Sequence, residues 1–210
     1  MSMRIATFNL ENLDDGVAVQ PPLAERIQIM RPQLERVAAD IVCLQEIHSQ
    51  GPAGSRTLAA LDQLLNSTPY AGFNRQTALT TSGQLYDQRN IVTLSRFPIV
   101  DTKIIRDNAG PRPSYQMATA NPPDSMVNPL EWERPMLYTQ IDIGSGRTLH
   151  LINVHLKSKL ASNIPGQKID NFTWRTVSAW AEGSFISSMK RVGQALQARL
   201  LVDNIFDTQG

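Results

Sequence analysis

Three segments of the chain end in side chains that could bind a metal ion or move a proton. Asn9 stands near the end of "RIATFNLEN", Glu46 ends "DIVCLQE", and His155 follows "LHLINV". Carboxylate and amide oxygens suit hard cations such as Mg²⁺, Mn²⁺ or Ca²⁺, and an imidazole suits proton transfer or contact with an anion. If the segments are neighbouring strands that point the same way, we expect these three side chains to converge at one edge of a sheet.

The segment 149–159, "LHLINVHLKSK", shows the change of character most clearly. Side chains alternate along a strand, so one face begins with two leucines and continues with Asn153, His155 and Lys157. Burying such polar groups costs free energy unless they are paired or coordinated. The pattern therefore indicates that the end of this strand leaves the core and contributes to a polar site.

Each of these residues also has a simpler interpretation when it is taken alone. Glu46 could be a solvated residue beyond a strand end, and Asn9 could cap a turn. His155 could be a hydrogen-bonded structural histidine, and Lys157 could be solvated. Only their shared position after apolar segments favours a common site.

The elements that must position these residues are predicted from hydrophobic periodicity and turn signals. We expect helices over 23–39, with a break or restart at Pro32, over 55–65, with Ser55 as the cap, and over 178–206. We expect strands over 3–10, 41–45, 90–95, 99–106, 135–143 and 148–156, the last two forming a hairpin around "GSG". Because hairpins interrupt the alternation of strands and helices, packed sheets with helices outside are favoured over a doubly wound sheet. The segments 107–133 and 160–176 are predicted to be irregular.

Composition sets few limits on function. The chain has 210 residues, of which 41% are hydrophobic and 19% charged, and its net charge is +1. It is long enough for one domain, and it has no global basic field that would indicate nucleic-acid binding. Its one cysteine, Cys43, excludes an internal disulfide and is expected to be buried. No segment is predicted to span a membrane, and a cytoplasmic location is expected, although a secreted protein whose leader had been removed would look the same.

Several segments, in this order, resemble the endonuclease/exonuclease/phosphatase superfamily, whose members include enzymes similar to deoxyribonuclease I. They are "TFNLEN", "ADIVCLQE", "RNIVTLSRFPI", "RPMLYTQIDIGSGRTLHLINVHLKSK" and "RVGQALQARLLVDNIF". The resemblance implies an α/β (α+β) fold, a four-layer sandwich of two packed mixed β-sheets flanked by helices. It also implies hydrolysis of phosphodiesters with Mg²⁺ or Mn²⁺. Within it, Glu46 is expected to bind the metal, and His155 is expected to act in catalysis. Asn9 is expected to bind the metal and phosphate and to act in catalysis as well.

The chain departs from the family pattern after the last predicted helix. The family continues with a Gly-Asp-x-Asn strand and an Asp-His pair, and neither occurs here, since the sequence ends in "FDTQG". We therefore interpret residues 1–210 as a single domain of this family that is incomplete at the C-terminus. We expect these residues to be inactive alone, and to associate with a second copy or another chain that covers the truncated sheet.

The expected substrate is nucleic acid, because "HLKSK" is similar to extracellular and surface nucleases of the family. A phosphatase or phospholipase of the same superfamily, of the sphingomyelinase or inositol-phosphate type, is the alternative. A non-catalytic remnant is the alternative from another class. Arg134, Asn153 and Lys157 are further candidates for phosphate binding, although Arg134 could instead pair with Glu131 or Glu133. Phe172, Trp174, Arg175 and Trp180 could stack on bases or pack under the last helix.

Overall fold

The computed structural model describes residues 3–106, 110, 112–132 and 134–209, without the side chain of residue 209. Its helices are α1 (Leu23–Val37), α2 (Ala59–Leu65) and α3 (Val177–Gln209). Its strands are β1 (Ile5–Leu13), β2 (Ile41–Ile47), β3 (Asn74–Thr77), β4 (Asn90–Ser95), β5 (Ile99–Ile105), β6 (Ser114–Tyr115), β7 (Asn128–Pro129), β8 (Met136–Asp142) and β9 (Thr148–Asn153).

The chain divides into two compact units. The first contains the described residues of Met1–Ile104 and Met136–His155, and the second those of Ile105–Pro135 and Leu156–Gly210. No helix within the described residues is both long enough and apolar enough to cross a bilayer.

The first unit contains a four-stranded mixed sheet in the order β1-β2-β4-β3. β1 and β2 are parallel, whereas β4 is antiparallel to both β2 and β3. The burial of β2 explains its central place: Ile41–Ile47 is buried at every position except Glu46. A strand that is apolar on both faces must be covered on both faces.

Helices cover one face of this sheet and a second sheet covers the other. Leu34 of α1 and Leu61 of α2 pack in one apolar cluster with Leu44 of β2. On the opposite face, Ile91 of β4 packs against Leu137 of β8, which belongs to the sheet β5-β8-β9. The predicted α+β class is therefore confirmed, and the first unit by itself contains one helical layer and two sheet layers.

Helix α1 differs from its prediction because it passes through Pro32 without a break. A proline within a helix removes one backbone hydrogen bond. The neighbouring Arg31 stabilises this part of the helix from outside, since its guanidinium donates to the carbonyl oxygens of Gln63 and Leu64 at 2.6 and 3.1 Å. These bonds join α1 to the C-terminal end of α2.

Helix α2 begins later than predicted, and the expected cap at Ser55 is wrong. The helix starts at Ala59, after Leu58, which has no side-chain capping bond. Instead, the side chain of Gln50 accepts a hydrogen bond from the backbone N–H of Ala60 at 3.1 Å. Gln50 reaches the helix because its backbone forms an isolated β-bridge with Thr57, a contact that local sequence does not reveal.

The predicted β8–β9 hairpin is confirmed, with Leu137 opposite Asn153 and Asp142 opposite Thr148. β9 ends at Asn153, however, and not at residue 156. His155 therefore lies just beyond the strand, and the alternation drawn through the sequence does not extend to it.

The second unit is built on α3 and the irregular segments around it. Its apolar cluster includes Leu130, Trp132, Ile164 and Ile186. Trp174 packs against this cluster, which matches the structural alternative for that aromatic residue. Several large apolar side chains of α3 are exposed, including Phe185, Val192 and Leu196.

A buried carboxylate joins α3 to the segment before it. Glu182 is 8% exposed, and it accepts hydrogen bonds from the backbone N–H groups of Ala118 and Thr119 and from the hydroxyls of Tyr115 and Thr119. Burial acts to raise the pKa of Glu182, but these hydrogen bonds outweigh it and hold the pKa below its ordinary value. The carboxylate therefore stabilises the fold in its ionised form.

We predict that Glu182→Gln lowers the free energy of unfolding by about 2 kcal/mol at pH 7, because it removes the charge-assisted bonds that a buried carboxylate accepts. A native pKa below the unfolded value gives stability that is complete above the unfolded pKa, about 4.3, and is lost as pH falls through the native pKa. The difference in free energy of unfolding between wild type and variant should therefore shrink as the pH falls from about 5 to about 3. Urea unfolding at pH 7 and at pH 3 measures this change.

Asp207→Asn is the matched control, since Asp207 is an exposed carboxylate on the same helix. We expect it to change stability by less than about 0.5 kcal/mol. A constant difference for Glu182→Gln from pH 7 to pH 3 would contradict the assigned role of the charge.

Candidate functional site

The polar ends of β1 and β2 share an irregular backbone. The pairing of β1 with β2 shifts register between Asn9 and Leu13, and that of β2 with β4 shifts between Leu44 and Ile47. Left-handed φ angles occur inside both irregular stretches, at Glu11 (46°), Asn12 (54°) and Glu46 (60°). Such bulges add residues that have no partner on the next strand and redirect their side chains.

The bulge in β2 changes the face on which Glu46 lies. Leu44 and Ile47 both pack in the helix-facing cluster, although strict alternation over three residues would place them on opposite faces. The extra residue lets Gln45 and Glu46 both lie away from that cluster. Since a left-handed φ is unfavourable for a residue with a Cβ, Glu46 holds a strained conformation.

Glu46 and His155 meet. The Nε2 atom of His155 lies 3.2 Å from Oε1 of Glu46, and their side chains are 14% and 17% exposed. The structure thus brings together two of the three residues that the sequence selected, in a partly buried pair that remains open to solvent.

Asn9 lies on the adjacent strand but serves its own turn. It pairs with Gln45 in the β1–β2 register, its residue is exposed, and its Oδ1 accepts a hydrogen bond from the backbone N–H of Glu11 at 2.8 Å. This is the turn-capping arrangement considered for Asn9. An amide oxygen has two lone pairs, so this bond leaves one for another donor or a cation.

Asn153 is buried between the two sheets of the first unit. It is 2% exposed, its Oδ1 accepts from Nε2 of Gln45 at 2.8 Å, and its Nδ2 donates to the carbonyl oxygen of Val92 at 3.0 Å. Nε2 of Gln45 also donates to the hydroxyl of Thr7 at 3.1 Å. These bonds occupy the amide of Asn153 with protein groups.

Lys157 and Arg134 belong to the second unit, whereas Glu46 and His155 belong to the first. The backbone N–H of Lys157 donates to Oε1 of Gln194 at 2.8 Å, and its ammonium lies 3.3 Å from the carbonyl oxygen of Leu160. The carbonyl oxygen of Arg134 accepts from Gln194 at 3.3 Å. Of its suggested partners, Glu133 lies outside the described residues.

A second polar cluster, which sequence analysis did not single out, follows the same two strands. His48 lies between Asp14 and Asn12, with Nδ1 3.5 Å from Oδ2 of Asp14 and Nε2 3.2 Å from Oδ1 of Asn12. Burial raises the pKa of Asp14, but hydrogen bonds from Gln50 and from the backbone of Asp15, with the nearby His48, bring it below its ordinary value. The histidine in "QEIHSQ", two residues after Glu46, was the available signal.

Arg26 of α1 fixes the backbone beside this cluster. Its guanidinium donates to three successive carbonyl oxygens, those of Leu10, Glu11 and Asn12. These carbonyls are brought into reach of one side chain by the two left-handed residues of the β1 bulge. A cavity of about 370 Å³ lies here, lined by polar and apolar residues including Glu11, Asp14 and His48.

Glu46 of β2 and Asn9 of β1 carry oxygen atoms of the kind that hard cations prefer. No group of three or more His, Cys, Asp or Glu side chains within the described residues could hold a metal ion. Glu46 has a second carboxylate oxygen besides the one near His155, and Asn9 presents an exposed amide. One carboxylate and one amide leave most positions of an octahedral Mg²⁺ ion to water, which Mg²⁺ tolerates well.

Comparisons with known proteins find similarity only to solved structures. No protein-family model matches the chain, and no curated protein is found to be similar to it. Among the solved structures, an endonuclease/exonuclease/phosphatase family protein from Leptotrichia buccalis is 13% identical, with a TM-score of 0.45, and the match covers 73% of this chain and 55% of that one. This is the family that the sequence resembles.

Two further solved structures are similar to the chain. TDP2 from D. rerio, in complex with a single-strand DNA product, is 21% identical, with a TM-score of 0.43, covering 74% of this chain and 46% of that one. A β-hairpin deletion mutant of beta toxin from Staphylococcus aureus is 15% identical, with a TM-score of 0.45, covering 75% and 52%. The chain spans about half the length of each of these proteins. Since every TM-score is below 0.5, the function proposed below is argued from the residues of this chain.

We predict that Glu46→Gly is more stable than Glu46→Ala by about 1 kcal/mol. Both variants lose the carboxylate and its contact with His155, so they differ only in backbone freedom, and a left-handed φ favours glycine. Urea unfolding of the two proteins measures the difference.

The control is the same pair of substitutions at Glu35, an exposed position in α1. There, alanine should be the more stable by about 1 kcal/mol, because glycine is unfavourable within a helix. The same order at both positions would show that the conformation at Glu46 is not strained.

Proposed function

We propose that this chain carries the metal-binding glutamate and the catalytic histidine of a divalent-metal-dependent phosphodiester hydrolase, acting on nucleic acid. The observation that supports it is the pairing of Glu46 with His155 at 3.2 Å, beside a bulged strand end. Residues held in a strained backbone conformation, such as Glu46 at this bulge, are found most often at active sites and ligand-binding sites.

Glu46 and Asn9 would hold Mg²⁺ or Mn²⁺ through their side-chain oxygens. A bound ion of this kind supplies Lewis-acid polarisation of a phosphoryl oxygen. His155, held by Glu46, would donate a hydrogen bond or a proton to the substrate phosphate as negative charge develops. Lys157 and Arg134 are proposed as additional contacts for phosphate, on the basis of charge alone.

Nucleic acid is the proposed substrate on two grounds. The first is the likeness of "HLKSK" to nucleases of the resembled family. The second is the composition of the second unit, in which Phe172 is 87% and Trp180 is 52% exposed and Lys168 and Arg175 lie close to them in sequence. Exposed aromatic rings with basic neighbours can stack on bases and contact the backbone of a single strand.

We predict weak metal binding by residues 1–210. Two protein ligands give few of the bonds that an octahedral ion needs, so the dissociation constant for Mn²⁺ should be on the order of 10⁻³ M. Calorimetry should show this binding lost in Glu46→Ala and retained in Glu35→Ala, which removes an exposed carboxylate elsewhere. Tight binding, or equal binding by both variants, would contradict the proposed ligands.

We also predict that activity depends on Glu46 and His155. Hydrolysis of single-stranded DNA, plasmid DNA and bis-p-nitrophenyl phosphate should be measured for the intact gene product and for residues 1–210. In the gene product, chelation or Glu46→Ala should abolish turnover, and His155→Asn should lower it by about 10²-fold or more.

Residues 1–210 alone should show no turnover above that of Glu46→Ala, because they contain neither Gly-Asp-x-Asn nor an Asp-His pair, and groups that act as a unit fail together. Full activity after exhaustive chelation would exclude the metal mechanism. Turnover by residues 1–210 that Glu46→Ala abolishes would show that the Gly-Asp-x-Asn and Asp-His segments are not needed. Cleavage of phospholipid or small phosphate esters but not of DNA would contradict nucleic acid as the substrate.

Association of residues 1–210 with a second copy or another chain stays a prediction. Light scattering measures it.

A further inference from the structure

We propose that Gln45 and Asn153 are positioning residues, whose buried hydrogen bond between the two sheets sets the separation of Glu46 and His155. The proposal rests on the function assigned above to that pair, since it gives Asn153 a role in holding the site and not in binding phosphate. The inter-sheet bridge is defined here as the side chains of Gln45, Asn153 and Thr7.

The bridge joins strands that share no backbone ladder. Gln45 lies on β2 in the four-stranded sheet, and Asn153 ends β9 in the sheet β5-β8-β9. Their side chains meet at 2.8 Å, with Gln45 6% and Asn153 2% exposed. Asn153 also donates to backbone carbonyl oxygens of the opposite sheet, to Val92 at 3.0 Å and to Leu44 at 3.5 Å. One side chain of β9 is thus bonded to both β2 and β4.

Both residues of this hydrogen bond are close in sequence to the candidate site. Gln45 directly precedes Glu46, and Asn153 is two residues before His155, where regular pairing of β9 has ended. Two residues span at most about 7 Å, so fixing Asn153 restricts where His155 can lie. Apolar contacts between sheets about 10 Å apart give no direction, whereas hydrogen bonds do.

Stability alone does not account for polar groups at this position. Two buried threonines in these sheets, Thr93 of β4 and Thr139 of β8, have Oγ1 atoms with no hydrogen-bond partner within the described residues. An apolar pair would fill the space of Gln45 and Asn153 without the cost of desolvating two amides. What an apolar pair lacks is a fixed direction from one sheet to the other.

The test separates position from stability by using single and double variants of residues 1–210. Gln45→Met and Asn153→Leu each remove one side of the buried bond between the two amides, and both should be less stable than wild type to urea. The double variant removes both amides and should recover much of that stability. Thr7→Val is a milder variant that removes only the hydroxyl bonded to the Gln45 amide. Thr139→Val is the control within the second sheet.

Two readouts follow the geometry of the site without any assay of turnover. The chain has three histidines, so imidazole signals in ¹⁵N NMR spectra can be assigned by substitution. His48, near Asp14, and His150, whose Nδ1 lies 2.7 Å from the hydroxyl of Tyr138, are internal controls. Crystal structures give the distance between Oε1 of Glu46 and Nε2 of His155 directly.

We expect the His155 signals to shift in both single variants and in the double variant, and less in Thr7→Val, while His48 and His150 stay unchanged. In the double variant, the distance between Glu46 and His155 should exceed about 3.5 Å, the limit of a hydrogen bond. Thr139→Val should match wild type in both readouts.

A double variant with recovered stability and an unchanged His155 signal would overturn the proposal, because the bridge would then act only on stability. If the double variant did not fold, unchanged His155 signals in Thr7→Val and in both single variants would also overturn the proposal. These outcomes are independent of catalysis. Absence of hydrolysis by the gene product would contradict the proposed function. It would not affect the positioning role of Gln45 and Asn153, which the NMR signals and the measured distance test.

Discussion

The polar residues at the candidate site depend on one constraint on the backbone, the left-handed conformation of Glu46. It lies within the register shift between Leu44 and Ile47. A regular strand would turn every second side chain into the helix-facing core, and the bulge allows Glu46 to leave that alternation. Because Leu44 and Ile47 return to the apolar cluster on either side, burial of these two residues holds the strained residue between them.

The neighbouring strand follows the same principle with different partners. Glu11 and Asn12 are both left-handed, and Leu10 and Leu13 on either side of them are fully buried. The carbonyls exposed by this irregularity do not remain without donors, since Arg26 bonds three of them. In both strands, buried apolar residues lie at each end of the irregular stretch.

Buried polar groups in the two units are handled in the same way, by supplying each with several partners. Asn153 in the first unit bonds a side chain and backbone carbonyls, and Glu182 in the second bonds backbone N–H groups and hydroxyls. A buried polar group that is fully bonded gives direction to a contact that apolar packing leaves free. Glu182 thereby joins α3 to the segment around Thr119, and Asn153 joins two sheets.

The sequence by itself determined the class of fold and most strands, and it indicated Glu46 and His155 as candidate site residues. Apolar runs of strand length and amphipathic periods are local properties, so β4 and the β8–β9 hairpin were predicted closely. Tertiary structure decided what depends on distant residues. Gln50, not Ser55, caps α2; Asn9 serves its own turn; Asn153 faces Gln45, 108 residues away in sequence. A strand pattern shows that a polar side chain is present, but the partner that satisfies it lies on another element, and only the folded chain brings the two together.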